Sequence, residues 1–273
     1  MSTAVHSPSL FTAWCWLVAL NFRRVWWSLQ TLVAVLLVFL AGSLVLLQTF
    51  WGGWTDLGFG RVIIGNVYLG FMLPLLCLAF GTQALGGDWE DRTLVWLLTR
   101  PLPRPLIFLA KFVAAAPWTF ALTLGGLLFL GALGGPGALQ AVYIFWPAVA
   151  FGTLAYLALF VLLGAWFRRS TIIGVVYSFV VESLVSTMPG LVKRVSIAFY
   201  ARCIYYERAR EFSLDGPLGV APGTGRGGIA PSRESLFMPV PGDQAMLVLL
   251  VLTACFLVLG MMIFARREYK DLT

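Results

Sequence analysis

From Ser28 to Phe50 the chain carries no charged side chain. A helix over that run would be roughly 35 Å long at about 1.5 Å per residue, enough to cross a bilayer with some tilt. The same reasoning, applied to the other long apolar runs, predicts spans over 28–50, 62–85, 112–133, 141–167, 171–189 and 244–264. The expected fold class is therefore all-α: a polytopic membrane protein with six transmembrane helices, filling residues 1–273 as one transmembrane domain. Composition agrees, since the chain is 60% hydrophobic and only 11% charged, whereas soluble domains are roughly a quarter charged. The net charge of +7 does not point to nucleic acid, and no nucleic-acid partner is expected. In a membrane protein, excess Lys and Arg marks the cytoplasmic flanks of spans.

The segments between the spans carry most of the remaining information. Leu10 to Phe22 is apolar and followed by Arg23-Arg24 and Trp26-Trp27. That pattern fits an interfacial helix over about 10–27, with basic and tryptophan anchors at headgroup depth; it also fits a frayed start to the first span. Pro74 predicts a kink in span 2, and Gly125-Gly126 permits close helix approach in span 3. Residues 191–243 form a long polar segment. Its first half, Leu191 to Phe212, suits one or two surface helices, and its second half, Asp215 to Pro241, is rich in Gly and Pro and reads as irregular. With both termini inside, the inner flanks collect Arg23, Arg24, Arg92, Arg100, Arg104, Lys111, Arg168, Arg169, Arg266, Arg267 and Lys270. The two short outer loops carry only Arg61. The expected location is the cell (cytoplasmic) membrane, multi-pass, with both ends cytoplasmic and 191–243 outside.

The densest charge lies in Gly87 to Lys111, between spans 2 and 3. A charge at mid-bilayer costs several kcal/mol, so this segment belongs at the surface. Asp88, Glu90 and Asp91 come first, an apolar stripe of Leu94, Trp96, Leu97 and Leu98 follows, and Arg100-Pro101-Leu102-Pro103-Arg104-Pro105 closes it. Acids at a helix start and bases at its end suit the macrodipole. The order predicts a short amphipathic surface helix ended by prolines, with a fresh helix entering the bilayer near Lys111. Arg104 and Lys111 also fit a role as snorkelling anchors to membrane lipid.

These residues resemble the signature region of ABC-2 type permeases, in particular the group associated with nitrous-oxide reductase and multicopper-enzyme maturation. Gly87, Asp88 and Glu90 match that group's glycine and spaced acids. Thr93-Leu94 and Leu97-Leu98 match its Thr-Leu and leucine run, and Pro101, Arg104 and Lys111 match its turn and lysine. Arg92, Pro103 and Ala110 stand where the group has glycine, serine and glycine. The resemblance implies that 10–27 is an elbow helix and that the 88–104 segment is a cytoplasmic coupling helix docking on a separate ATPase. Asp88, Glu90, Asp91, Arg92, Thr93, Leu94 and Arg104 are its candidate residues. It further implies two ATP-binding subunits, a second permease copy or close paralogue, and export. A solvated surface helix that merely satisfies its own charge is the plainer reading of the same residues.

Several chemistries are missing. No G-x-x-x-x-G-K-[ST] phosphate loop is present, and Gly219 to Gly228 lacks the Gly-Lys that would hold phosphates. His6 is the one histidine, so a histidine-built metal site or a His-based triad is not available. The chain is not expected to be an enzyme or to hold a metal or cofactor; ATP and Mg would sit on the partner ATPase. Cys15, Cys77, Cys203 and Cys255 are read as free thiols, with Cys203 in the exterior segment. Glu182 is the only carboxylate well inside an expected span. Such a group marks a substrate or proton path, or else holds the bundle together through hydrogen bonds to Tyr177, Ser178, Ser183, Ser186 or a neighbouring helix. The functional expectation is a membrane permease subunit that couples ATP hydrolysis by its partner to substrate movement. Two alternatives stand beside it: ATP-driven mechanical signalling to an extracytoplasmic partner through 191–243, and an ATP-independent carrier or scaffold.

Overall fold

A computed structural model of the chain describes residues 10–26, 28–54, 56–90, 103–184, 194–212 and 240–266. Helix α1, Leu10–Trp26, ends in a sharp corner before α2, Leu29–Gly52. The corner is fixed locally. Ser28 caps α2 by accepting from the Thr31 amide at 3.3 Å, and the Thr31 hydroxyl donates back to Val25 O at 2.7 Å. A cap of this type is worth about 1 kcal/mol, so α1 is a separate helix from α2. α2 buries only one stripe, Ala34, Val38, Gly42 and Val45, at helical spacing. It stops at Gly53, whose φ of 70° suits glycine and whose N–H donates to Thr49 O.

A short helix, α3 (Asp56–Phe59), leads into a π-helix, Gly60–Met72, which continues as α4, Leu73–Glu90. The irregularity expected at Pro74 thus lies on its N-terminal side. Pro74 has no N–H to extend an i→i−4 ladder, and a π-helix bonds i→i+5. Gly60, Gly65 and Gly70 repeat at that spacing. The close approach is tightest at Gly60, where an added Cβ would meet the Phe145 ring at 2.7 Å.

α5, Arg104–Gly134, starts on Pro103 and turns through Gly135, φ 89°, into α6, Pro136–Trp166. α6 is the axis of the bundle. Its most apolar stretch is 78% buried, against 22% for α2 and for α9, Gly242–Arg266. Between helices in lipid, packing and interhelical hydrogen bonds take over from the hydrophobic effect, and both are present here. At Gly164 an added Cβ would lie 3.1 Å from Thr82 O of α4. The Thr153 hydroxyl donates to Thr123 Oγ1 at 3.2 Å, and the Tyr68 hydroxyl donates to Thr123 O, joining α6, α5 and the π-helix.

α7, Ser170–Tyr177, continues as a π-helical turn, Ser178–Leu184. This is the described part of the expected fifth span; residues 185–189 lie outside the described residues. Five described helices are long and apolar enough to cross a membrane: Leu29–Gly52, Gly60–Gly87, Arg104–Gly134, Pro136–Trp166 and Gly242–Arg266. The fold is all-α and polytopic, with no strand among the described residues.

Helix α8, Ile197–Glu211, corrects the reading of 191–212 as surface helices. Ile197, Ala198, Phe199, Ala201, Cys203, Ile204, Tyr205 and Ala209 are all buried, and Tyr205 stacks on Phe145 of α6 with ring centroids 4.1 Å apart. α8 packs against α6, α9 and the π-helix. Its tyrosines and arginines gave it a polar composition, but small residues and aromatics on one face let it enter the bundle. Cys203 is accordingly buried in the bundle. Most of the Gly/Pro-rich second half of the segment lies outside the described residues.

Candidate functional site

The described flanks of the charged segment, through Glu90 and from Pro103, lie at one end of the bundle, and neighbouring helix ends define that end. Arg104 opens α5, and its guanidinium donates to Ala265 O in the last turn of α9 at 3.4 Å. A base at a helix C-terminus is favoured by the macrodipole. Trp14 of α1 donates its indole N–H to Leu106 O at 3.1 Å. An added Cβ at Gly86 of α4 would touch the hydroxyl of Ser170, at the start of α7. Thus α1, the end of α4, the starts of α5 and α7, and the end of α9 meet here.

α4 stays helical through Glu90. Asp88 and Glu90 therefore extend a membrane-crossing helix and do not start one. No proline interrupts the run between Pro74 and Glu90, and Gly86-Gly87 does not break it. Asp91, Arg92, Thr93 and Leu94 lie outside the described residues.

Lys111 is not a lipid anchor. It is 5% exposed, and its ammonium donates to Asn21 Oδ1 of α1 at 2.5 Å. Asn21 in turn donates to Leu17 O at 2.7 Å. The reason is register: α5 begins at Arg104, so Lys111 lies about two turns inside the helix and faces α1. A cavity of about 230 Å³ adjoins this pair, lined in part by Asn21, Arg24, Gln83, Gly87 and Lys111. It places the basic residues of α1 and α5 beside the end of α4. Asn21 was not singled out from the sequence; its one signal was an amide within the apolar run Leu10 to Phe22.

Glu182 sits elsewhere and is 2% exposed. Its Oε2 accepts from the Ser196 hydroxyl at 2.6 Å and the Ala198 amide at 3.0 Å. Its Oε1 accepts from the Ile197 amide at 3.2 Å and the Tyr177 hydroxyl at 3.1 Å. Ser196 also accepts from the Phe199 amide at 3.4 Å, as an N-cap does. The carboxylate therefore closes the N-terminus of α8, where free N–H groups and the dipole favour an anion. Of the partners expected from sequence, Tyr177 is present. The α8 amides come from a helix that sequence reasoning placed on the surface.

A second cavity, of about 240 Å³, runs between α2, α4 and α7. Its walls include Val33, Leu37, Leu75, Leu78 and Thr171, with Gln30 and Gln83 at one end. Its chemistry suits apolar or amphipathic groups more than a small ion.

No curated protein matches this chain. A family model described as ABC-2 family transporter protein does match, over residues 16–269. That range takes in α1 from Trp16 onward, every helix from α2 to α9, the charged segment, and both sites built above. The chain thus belongs to the ABC-2 family of transporter proteins and is a membrane permease subunit that works with an ABC ATP-binding subunit.

Proposed function

We propose that this permease subunit couples ATP hydrolysis by two ATP-binding subunits to export of a substrate, and that the segment from Asp88 to Arg104 is the coupling element. The observation that carries the reading is the run of α4 out to Glu90 with α5 starting at Arg104. Two long helices bracket the segment directly, and both pack on the central α6. A displacement of the segment therefore moves α4 and α5, and through them the axis of the bundle. Asp88 and Glu90 lie on α4 just past its membrane-crossing stretch, which ends at Gly87, and basic groups on the ATPase would pair with them. ATP and Mg bind the ATPase, and this chain supplies no catalytic group.

In this reading the segment faces the cytoplasm together with both termini, as the basic flanks indicate. α7 and its π-helical turn belong to the sixth crossing. A second copy or close paralogue completes the transporter. The apolar cavity between α2, α4 and α7 contributes to a substrate space that opens alternately to either side. Its lining favours an amphipathic or lipidic substrate. A photo-crosslinking residue at position 96 tests the contact: a crosslink to the ATP-binding subunit that changes in yield with ATP supports coupling, and a crosslink only to lipid or to this chain contradicts it.

A further inference from the structure

Arg202 is a charge inside the bundle that none of these roles uses. It lies on α8 between Ala201 and Cys203, both buried, at the level where Ala201 meets Gly152 of α6. It is half-buried and makes no hydrogen bond or ion pair among the described residues. Within a membrane domain an unsatisfied charge costs several kcal/mol, so such residues are kept where something pairs with them. Glu182, the one buried acid among the described residues, already accepts four hydrogen bonds.

One further group near Arg202 lacks a partner. The hydroxyl of Ser178 is buried and unbonded, on a residue 8% exposed. Gly70 joins the arginine to Ser178: a Cβ on Gly70 would be 3.5 Å from Arg202 Nη2, and Gly70 and Ser178 line one small cleft with Phe71, Pro74, Leu75 and Phe179. The cleft holds about 10 Å³, room for a single oxygen-sized atom. Phe71 and Phe179 are exposed and meet edge to face, with centroids 6.1 Å apart. A guanidinium, a free hydroxyl and a small hole, flanked by exposed aromatic rings, describe the binding needs of one class of ligand.

We infer that Arg202 and Ser178 form a site for the anionic head of an amphiphile, a phosphate or carboxylate on an apolar chain. One head oxygen occupies the cleft and accepts from Ser178, the guanidinium balances the charge, and the apolar chain lies against Phe71 and Phe179. The head belongs either to a bilayer phospholipid or to a free amphiphile. The inference rests on the membrane fold and not on ATPase coupling, so failure of one leaves the other standing.

The test uses the full chain in nanodiscs and two probes, both read by native mass spectrometry. In the first arm, equimolar phosphatidylglycerol and phosphatidylcholine compete for retention after partial delipidation. In the second, nanodiscs of phosphatidylcholine alone are titrated with dodecyl phosphate and, as a neutral control, dodecyl maltoside. The wild type should prefer the anionic probe in one arm or both, and Arg202→Gln should lower that preference about tenfold, the loss of one charge-assisted contact. Arg202→Lys should keep most of it, and Ser178→Ala should lower it severalfold. Preference in the first arm alone assigns the site to bilayer lipid, and preference in the second alone assigns it to a free amphiphile. No wild-type preference in either arm, or an unchanged preference in Arg202→Gln, overturns the inference. Should Arg202→Gln not fold, Ser178→Ala decides: wild-type retention in that variant overturns it.

Discussion

Glu182 and the pair Asp88 and Glu90 are acids attached to the same bundle in different settings. Glu182 meets the start of a helix, and four donors converge on its two oxygens. Asp88 and Glu90 lie on α4 just past its membrane-crossing stretch, Gly60–Gly87. The dipole and free amides of α8 stabilise the first acid. An acid that the fold satisfies so fully belongs to the architecture. For the other two, contact with basic groups outside the chain is the proposed role. Burial therefore marks the clamp and not the proposed coupling element.

The comparison breaks most easily at the clamp. Glu182→Ala leaves four donors facing no acceptor and should cost about 3 kcal/mol or more, read as a large fall in the unfolding temperature and in the yield of folded protein. Glu182→Gln keeps the shape but turns an amide toward donors, and should cost about 2 kcal/mol. Normal stability with lost transport in that variant would instead make Glu182 part of a substrate or proton path. Lys111→Met should cost about 1–3 kcal/mol, because it strands Asn21 Oδ1 in a buried site. Restoration of stability by Asn21→Leu in the same chain would confirm that these two residues act as a pair. Ser196→Ala removes the cap of α8 and should cost about 1 kcal/mol. The smallest effect on stability is expected at the other acids. Asp88→Asn with Glu90→Gln should change the stability of the isolated subunit by no more than about 0.5 kcal/mol in thermal unfolding, while weakening its hold on the ATPase.

The all-α membrane fold was legible because uncharged runs such as Ser28 to Phe50 admit no other solution in lipid. α8 was not legible. Its Arg and Tyr residues mark a surface helix by composition, and only the glycine face of the π-helix and the Phe145 ring, both distant in sequence, make room for it. The Glu182 clamp was half legible for the same reason: Tyr177 is five residues away, but the α8 amides arrive through tertiary structure. Around Lys111, sequence fixed the residue types and misplaced the helix start by two turns, since Pro103 and Pro105 read equally well as an end or a beginning. Proline is at home in the first turn of a helix, and here it begins α5.

The central claim is that the acids following the membrane-crossing stretch of α4 engage the ATP-binding subunit. Co-purification in mild detergent of the permease with that subunit, comparing wild type with Glu90→Arg/Asp91→Arg, tests it most directly. The account predicts that wild type retains the ATPase and that the charge-reversed variant loses it while unfolding at an unchanged temperature. Full retention of the ATPase by the charge-reversed variant would contradict the account.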